Sequence, residues 1–210
     1  MAASLKGSVS GIKSTLALGA SLHDTDGDGR SPLFTAALQG HTEAVILLLE
    51  RGARPDQASP DGTSPLLIAV WMGFVNVINA LLDKGADVDM TNLAGSTPLY
   101  VAMFRKRMNV ARLLLERGAN INLGHTDGAS PLYMAAQQGR REAAELLLEF
   151  HADVNQPRDD GRTPLYIAAQ EGHVEIAQLL LDHGALTNKA TPDGRTPLYI
   201  ASREGHLDVA

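Results

Sequence analysis

Cysteine is absent from the 210 residues. That excludes disulfides, thiolate-ligated zinc and thiol nucleophiles, and favours a reducing, intracellular compartment, the cytoplasm or the nucleus. Aromatic residues are scarce, at 4%, with a single Trp. Cations are outnumbered, 18 Lys and Arg against 24 Asp and Glu for a net charge of −6, so no basic surface for nucleic acid is expected. Apolar runs such as AVILLL at 44–49 fall far short of the roughly 20 residues that a membrane span needs, and no insertion is expected. The opening MAASLKGSVSGIK lacks the charged-then-apolar pattern of a secretory signal. What is present, 44% hydrophobic and 20% charged residues, suits a folded chain.

The dominant feature is repetition. Ser/Thr-Pro-Leu begins at Ser31, Ser64, Thr97, Ser130, Thr163 and Thr196, each step 33 residues without insertion. Gly29, Gly62, Gly95, Gly128, Gly161 and Gly194 precede it by two, and a Leu pair recurs at 48, 81, 114, 147 and 180. Ser or Thr before Pro starts a helix: the hydroxyl accepts a backbone N–H, and Pro at the first helical position loses no needed donor. This first helix runs about two turns through small Ala residues to a Gly at 40, 73, 139, 172 and 205. Gly permits the positive φ that ends a helix. A second helix follows, as from His173 to His183, with Ile176, Leu179 and Leu180 on one buried face. A polar stretch rich in Asp, Asn and Gly then forms a hairpin-like finger leading to the next cap. One such unit cannot bury its apolar face alone, but a stack of them builds a continuous core.

The sequence Asp-x-x-Gly-x-Thr-Pro-Leu, Ala-Ala, Gly-His, Leu-Leu-Leu, Gly-Ala-Asp-x-Asn resembles the ankyrin repeat, and RTPLYIAAQEGHVEIAQLLLDHGA (162–185) is close to that family's consensus. The resemblance covers essentially the whole chain. It implies an all-α solenoid of stacked helix–turn–helix units with β-hairpin fingers, the first helices lining a concave face. The expected organisation is one domain, 1–210: a degenerate capping repeat at 1–27, complete repeats at 28–60, 61–93, 94–126, 127–159 and 160–192, and a truncated repeat at 193–210. In that frame Ala3, Gly7, Gly19 and Ala20 are cap positions, with Ser14 and Thr15 where later copies are apolar. Val209 and Ala210 match Ala44 and Val45, so the chain is expected to stop inside a second helix and to belong to a longer protein.

Several chemical signals dissolve into this frame. Asp24-Thr-Asp26-Gly-Asp28-Gly29 looks like the start of a calcium loop, but the twelfth position is Thr35 rather than a bidentate Glu. His41-Thr-Glu43 and His173-Val-Glu175 echo a zinc deaminase, whose Pro-Cys-x-x-Cys partner is missing. Ser, His and Asp elsewhere occupy recurring positions, so no nucleophile with its base is expected, and neither catalysis nor a cofactor. Phe34, Leu67, Tyr100, Tyr133, Tyr166 and Tyr199 share one column and read as a packing ladder.

The informative positions are those the repeat leaves open. The resemblance implies that two successive residues at the end of each first helix face the groove. They are Leu38-Gln39, Trp71-Met72, Phe104-Arg105, Gln137-Gln138, Gln170-Glu171 and Arg203-Glu204. The first three pairs are mainly apolar and aromatic, the last three polar. Leu38, Trp71, Met72, Phe104, Arg105 and Arg107 are the candidate partner-binding residues, since Trp and Arg are the types most frequent at binding hot spots. Lys106 and His151 stand where the repeat has Gly. Lys106 is expected to carry about 1 kcal/mol or more of backbone strain. His151 is expected to take a left-handed conformation, which His tolerates better than β-branched residues, its replacement by Gly being neutral to stabilising by up to about 1 kcal/mol. The expected function is a monomeric protein-interaction scaffold that holds one segment of a partner protein. The alternative is a targeting or autoregulatory module of a larger enzyme, ubiquitin ligase or channel. The resemblance also implies Asn122 and Asn155 as asparaginyl hydroxylation positions, beside their plainer reading as turn formers.

Overall fold

The computed structural model describes residues 8–206 and 208; the frame positions Ala3, Gly7, Val209 and Ala210 lie outside them. Among the described residues are twelve α-helices and no strand. The chain divides into two compact units, the first ending at Ala119 and the second beginning at Asn120, within the repeat expected at 94–126. Unit one holds α1 (Val9–Ala17), α2 (Pro32–Leu38), α3 (Thr42–Glu50), α4 (Pro65–Met72), α5 (Val75–Asp83), α6 (Pro98–Phe104) and α7 (Met108–Glu116). Unit two holds α8 (Pro131–Gln137), α9 (Arg141–Glu149), α10 (Pro164–Gln170), α11 (Val174–Asp182) and α12 (Pro197–Glu204).

Every short helix starts as its sequence requires. The hydroxyls of Ser31, Ser64, Thr97, Ser130, Thr163 and Thr196 accept the N–H three residues on, at 3.0–3.2 Å. The helices end by a left-handed residue whose successor returns its N–H to the carbonyl five residues earlier: His41 to Ala36, Phe74 to Ala69, Ala53 to Leu48, Ala119 to Leu114. That satisfies carbonyls the helix would otherwise orphan. Lys106 (φ 57°) and His151 (φ 63°) are the non-glycine residues in this conformation among those described, at the two positions where the repeat lost its Gly.

The short helices pack side by side, α2 on α4 and α4 on α6 in unit one, α8 on α10 and α10 on α12 in unit two. Their contact is close because Ala36, Ala69 and Ala102, like Ala135, Ala168 and Ala201, are completely buried. The second helices, α3 with α5 and α9 with α11, bury the recurring Leu at 48, 81, 147 and 180 beneath them. Each buried Leu contributes about 1.5–3 kcal/mol of transfer free energy. In the segment expected as a cap, α1 keeps the second-helix frame: Gly19 is left-handed, Ala20 donates to the Thr15 carbonyl, Ile12 is the buried residue of the helix, and Leu18, just past its end, is exposed.

The fingers, expected as β-hairpins, are tight turns without a strand among the described residues. Each tip is closed by two backbone bonds, as where Asp26 and Gly29 donate to Arg30 and Asp26, or Thr191 and Gly194 to Arg195 and Thr191. A short polar side chain makes the ladder's extended partner unnecessary: Asp26 Oδ1 accepts the N–H groups of Asp28 and Arg30.

Candidate functional site

The C-terminal ends of α2, α4 and α6 bring Leu38, Trp71, Met72, Phe104 and Arg105 to the surface of unit one. Leu38 is half-buried, whereas Trp71 and Met72 are 40% exposed and Phe104 47%. The indole of Trp71 and the ring of Phe104 lie 6.5 Å apart, inclined by 21°, in a stacked arrangement. The Arg105 guanidinium sits 4.5 Å from the indole centroid, a cation–π contact that holds a charge against an exposed ring. Three of the sequence-predicted residues therefore form one aromatic and cationic cluster, with Met72 next to Trp71 in the chain.

Arg107 is placed differently from the other five. It occupies the turn position that is His41, Phe74, Arg140, His173 and His206 in the other copies. Its side chain lies over Gly73, as Phe74 lies over Gly40 and His173 over Gly139. Its guanidinium donates to the Trp71 carbonyl at 3.0 Å, the counterpart of His173 Nε2 lying 3.2 Å from the Gln137 carbonyl. Arg107 thus fixes the end of α4, from which Trp71 projects, rather than standing free at a rim. Periodicity could have shown this, because the turn column is readable once position 107 is aligned with 41 and 173.

Between them lies Lys106, exposed and left-handed. Among the described residues no ion pair engages Arg105, Lys106 or Arg107. At two of the three equivalent helix ends of unit two the polar side chains satisfy each other: Gln170 donates to Glu171 at 3.1 Å and Arg203 pairs with Glu204 at 2.7 Å.

The aromatic column is packing for the most part. Phe34, Leu67, Tyr133 and Tyr166 are buried, and Tyr199 is half exposed. In unit two, Arg158 and Arg162 lie over the Tyr133 and Tyr166 rings at 5.9 and 5.6 Å. Burial pushes the Tyr133 phenol above its ordinary value, with the Arg158 guanidinium opposing the rise.

A polar ladder runs along the finger bases. Asp56 accepts the Asp87 N–H at 3.0 Å, Asn122 that of Asp153 at 2.9 Å, and Asn155 that of Leu186 at 2.8 Å. The Asn155 amide also donates to the Gly184 carbonyl. The side chains of Asn122 and Asn155 thus tie each finger base to the next repeat, while the local turns are closed by Asn120 and Asp153, whose Oδ1 atoms accept the N–H groups of Asn122 and Asn155 at 3.1 and 2.9 Å. Among the described residues no group of three His, Asp or Glu could hold a metal ion, and no helix is long and apolar enough to cross a membrane.

A family model described as Ankyrin repeats (3 copies) matches residues 1–92, 81–158 and 150–210. No curated protein matches significantly. Among the solved structures that do, the ankyrin repeat domain of Bcl-3, described as a unique member of the IkappaB protein family, is 28% identical. The match covers 99% of this chain and 95% of that one, with a TM-score of 0.92.

Proposed function

Because the chain belongs to the ankyrin-repeat family, we propose that it holds one segment of a partner protein on its concave face, at Leu38, Trp71, Met72, Phe104 and Arg105. Ankyrin repeats are generally protein–protein interaction modules, and the observation that supports this location is the exposed Trp71–Phe104 stack capped by Arg105. Large rings left 40–47% exposed on neighbouring helix ends are a desolvation resource that a partner can use. Arg107 serves the site indirectly, through the Trp71 carbonyl. In this reading the protein acts as a monomer; its place inside the cell is supported by the missing cysteine, and its non-catalytic role by the lack of an acid–base cluster in the sequence outside the repeat frame.

The test uses the chain's single Trp as a reporter. Short random peptides displayed on phage are panned on the full chain, and recovered peptides are titrated against Trp71 emission and its quenching by acrylamide. Protection of Trp71 by the recovered peptides is expected. Peptides that bind while leaving Trp71 as accessible as before, or a failure to recover any binder, would contradict the proposal.

A further inference from the structure

The repeat at 94–126 is the electrostatic exception in the sequence. It carries Arg105, Lys106, Arg107, Arg112 and Arg117 against Glu116 alone, a net of +4 in a chain of −6. The repeats at 61–93 and 127–159 are each −3. Two departures from the repeat pattern push its charge in the same direction. Position 94 is Ala where the other fingers have Asp28, Asp61, Asp127, Asp160 and Asp193. The turn survives because Asn92 Oδ1 accepts the N–H groups of Ala94 and Ser96 at 3.1 and 3.0 Å, so the tip keeps its closure without a carboxylate. Position 106 is Lys at φ 57° where the repeat has Gly, a charge gained at the expense of backbone strain.

These cations are not all equivalent. Arg117 is matched by Asp83 at 2.9 Å, and Arg107 is occupied with the Trp71 carbonyl. Arg105 and Lys106 remain exposed, without an ion pair among the described residues, beside the Trp71–Phe104 rings.

Resting on the interaction reading above, we propose that the partner segment is acidic: one aromatic or aliphatic side chain seats against the exposed rings, and neighbouring Asp or Glu carboxylates pair with Arg105 and Lys106. Guanidinium and aromatic groups together also suit single-stranded nucleic acid. A polyanion, however, needs a positive groove that tracks several phosphates, and here a cationic turn of three residues belongs to a chain of net charge −6. A short acidic peptide matches that local patch.

The peptides recovered by panning decide the matter. They are expected to be enriched in Asp and Glu around a single aromatic or branched aliphatic residue, and to bind more weakly in about 0.5 M salt, where charges are screened within a few ångströms. Lys106→Gly restores the repeat's own residue and is expected to weaken their binding about two- to fivefold, with the melting temperature held or raised. Arg203→Gln, which removes a cation already paired with Glu204, is expected to leave binding unchanged. Recovered peptides that protect Trp71 but lack acidic enrichment, or are indifferent to Lys106→Gly, overturn this inference and leave the interaction reading standing. Peptides that leave Trp71 unprotected overturn both. A single-stranded oligothymidylate that displaces the peptides and protects Trp71 more tightly overturns it in favour of nucleic acid.

Discussion

The two units are built from the same repeat yet finish their first helices in opposite ways. In unit one the helix ends present Trp71, Met72, Phe104 and Arg105, with the rings stacked but open to solvent. In unit two the same positions carry Gln137, Gln138, Gln170, Glu171, Arg203 and Glu204, and the charged ones find partners in the adjacent residue. Scaffold positions do not differ: Ser64 and Ser130 cap alike, Ala69 and Ala168 are equally buried, and Leu114 and Leu147 are both fully enclosed. The contrast at the helix ends therefore lies outside the caps, the close Ala contacts and the Leu core that both units share. Strain shows the same separation of roles. Lys106 and His151 are both left-handed, but only Lys106 adjoins the aromatic cluster.

If the scaffolds are equivalent, core truncation should not distinguish the units. Leu114→Ala and Leu147→Ala should each destabilise by about 2–5 kcal/mol, through lost transfer free energy and the cavity left behind. Urea unfolding of the two variants checks this, and a loss confined to one variant would break the equivalence.

A smaller effect is expected at the strained turns. Lys106→Gly and His151→Gly should each be neutral to stabilising by up to about 1 kcal/mol, since relief of a left-handed side chain is offset by a more flexible unfolded chain. Thermal melting measures both. A clear loss for His151→Gly would reveal a contact made by that imidazole, and peptide binding should respond to the change at 106 alone.

The smallest effect concerns the finger-base ladder, where unit one uses Asp56 and unit two uses Asn122 and Asn155 for the same bond. Burial holds the Asp56 carboxyl above its ordinary value of 3.8, with the Asp87 N–H opposing the rise. A raised carboxyl disfavours the ionised folded state, so the penalty is full above the folded pKa and fades as pH falls through it. Asp56→Asn should therefore stabilise slightly at neutral pH, with the advantage disappearing below about pH 4. An advantage independent of pH would mean that the added amide donor, rather than the lost charge, is responsible.

The helices, their caps and their terminators were legible in the sequence because each rests on a local rule repeated in register: hydroxyl then Pro to start, Gly or its substitute to stop. The positive φ of Lys106 and His151 could be read from the frame alone, since a missing Gly does not remove the turn's geometric demand. The fingers were over-read as hairpins, because Asx-type turns satisfy the backbone without a strand pair. Five of the six candidate site residues sit at helix ends as the frame implied. Arg107, expected at the rim from its charge, takes its place from the turn column instead, which sends the side chain across to Gly73 and the Trp71 carbonyl. The cation–π contact of Arg105 with Trp71 could not be read from spacing, since it depends on rotamers that periodicity does not specify.

The most direct test of the site pairs affinity with stability in matched variants from the two units. Trp71→Ala should weaken binding of the recovered peptides by about 2 kcal/mol or more, roughly thirtyfold, with melting little changed. Gln137→Ala should alter neither. An array that unfolds on loss of Trp71, or binding that survives Trp71→Ala and is abolished by Gln137→Ala, would contradict the account and make the stack an element of packing.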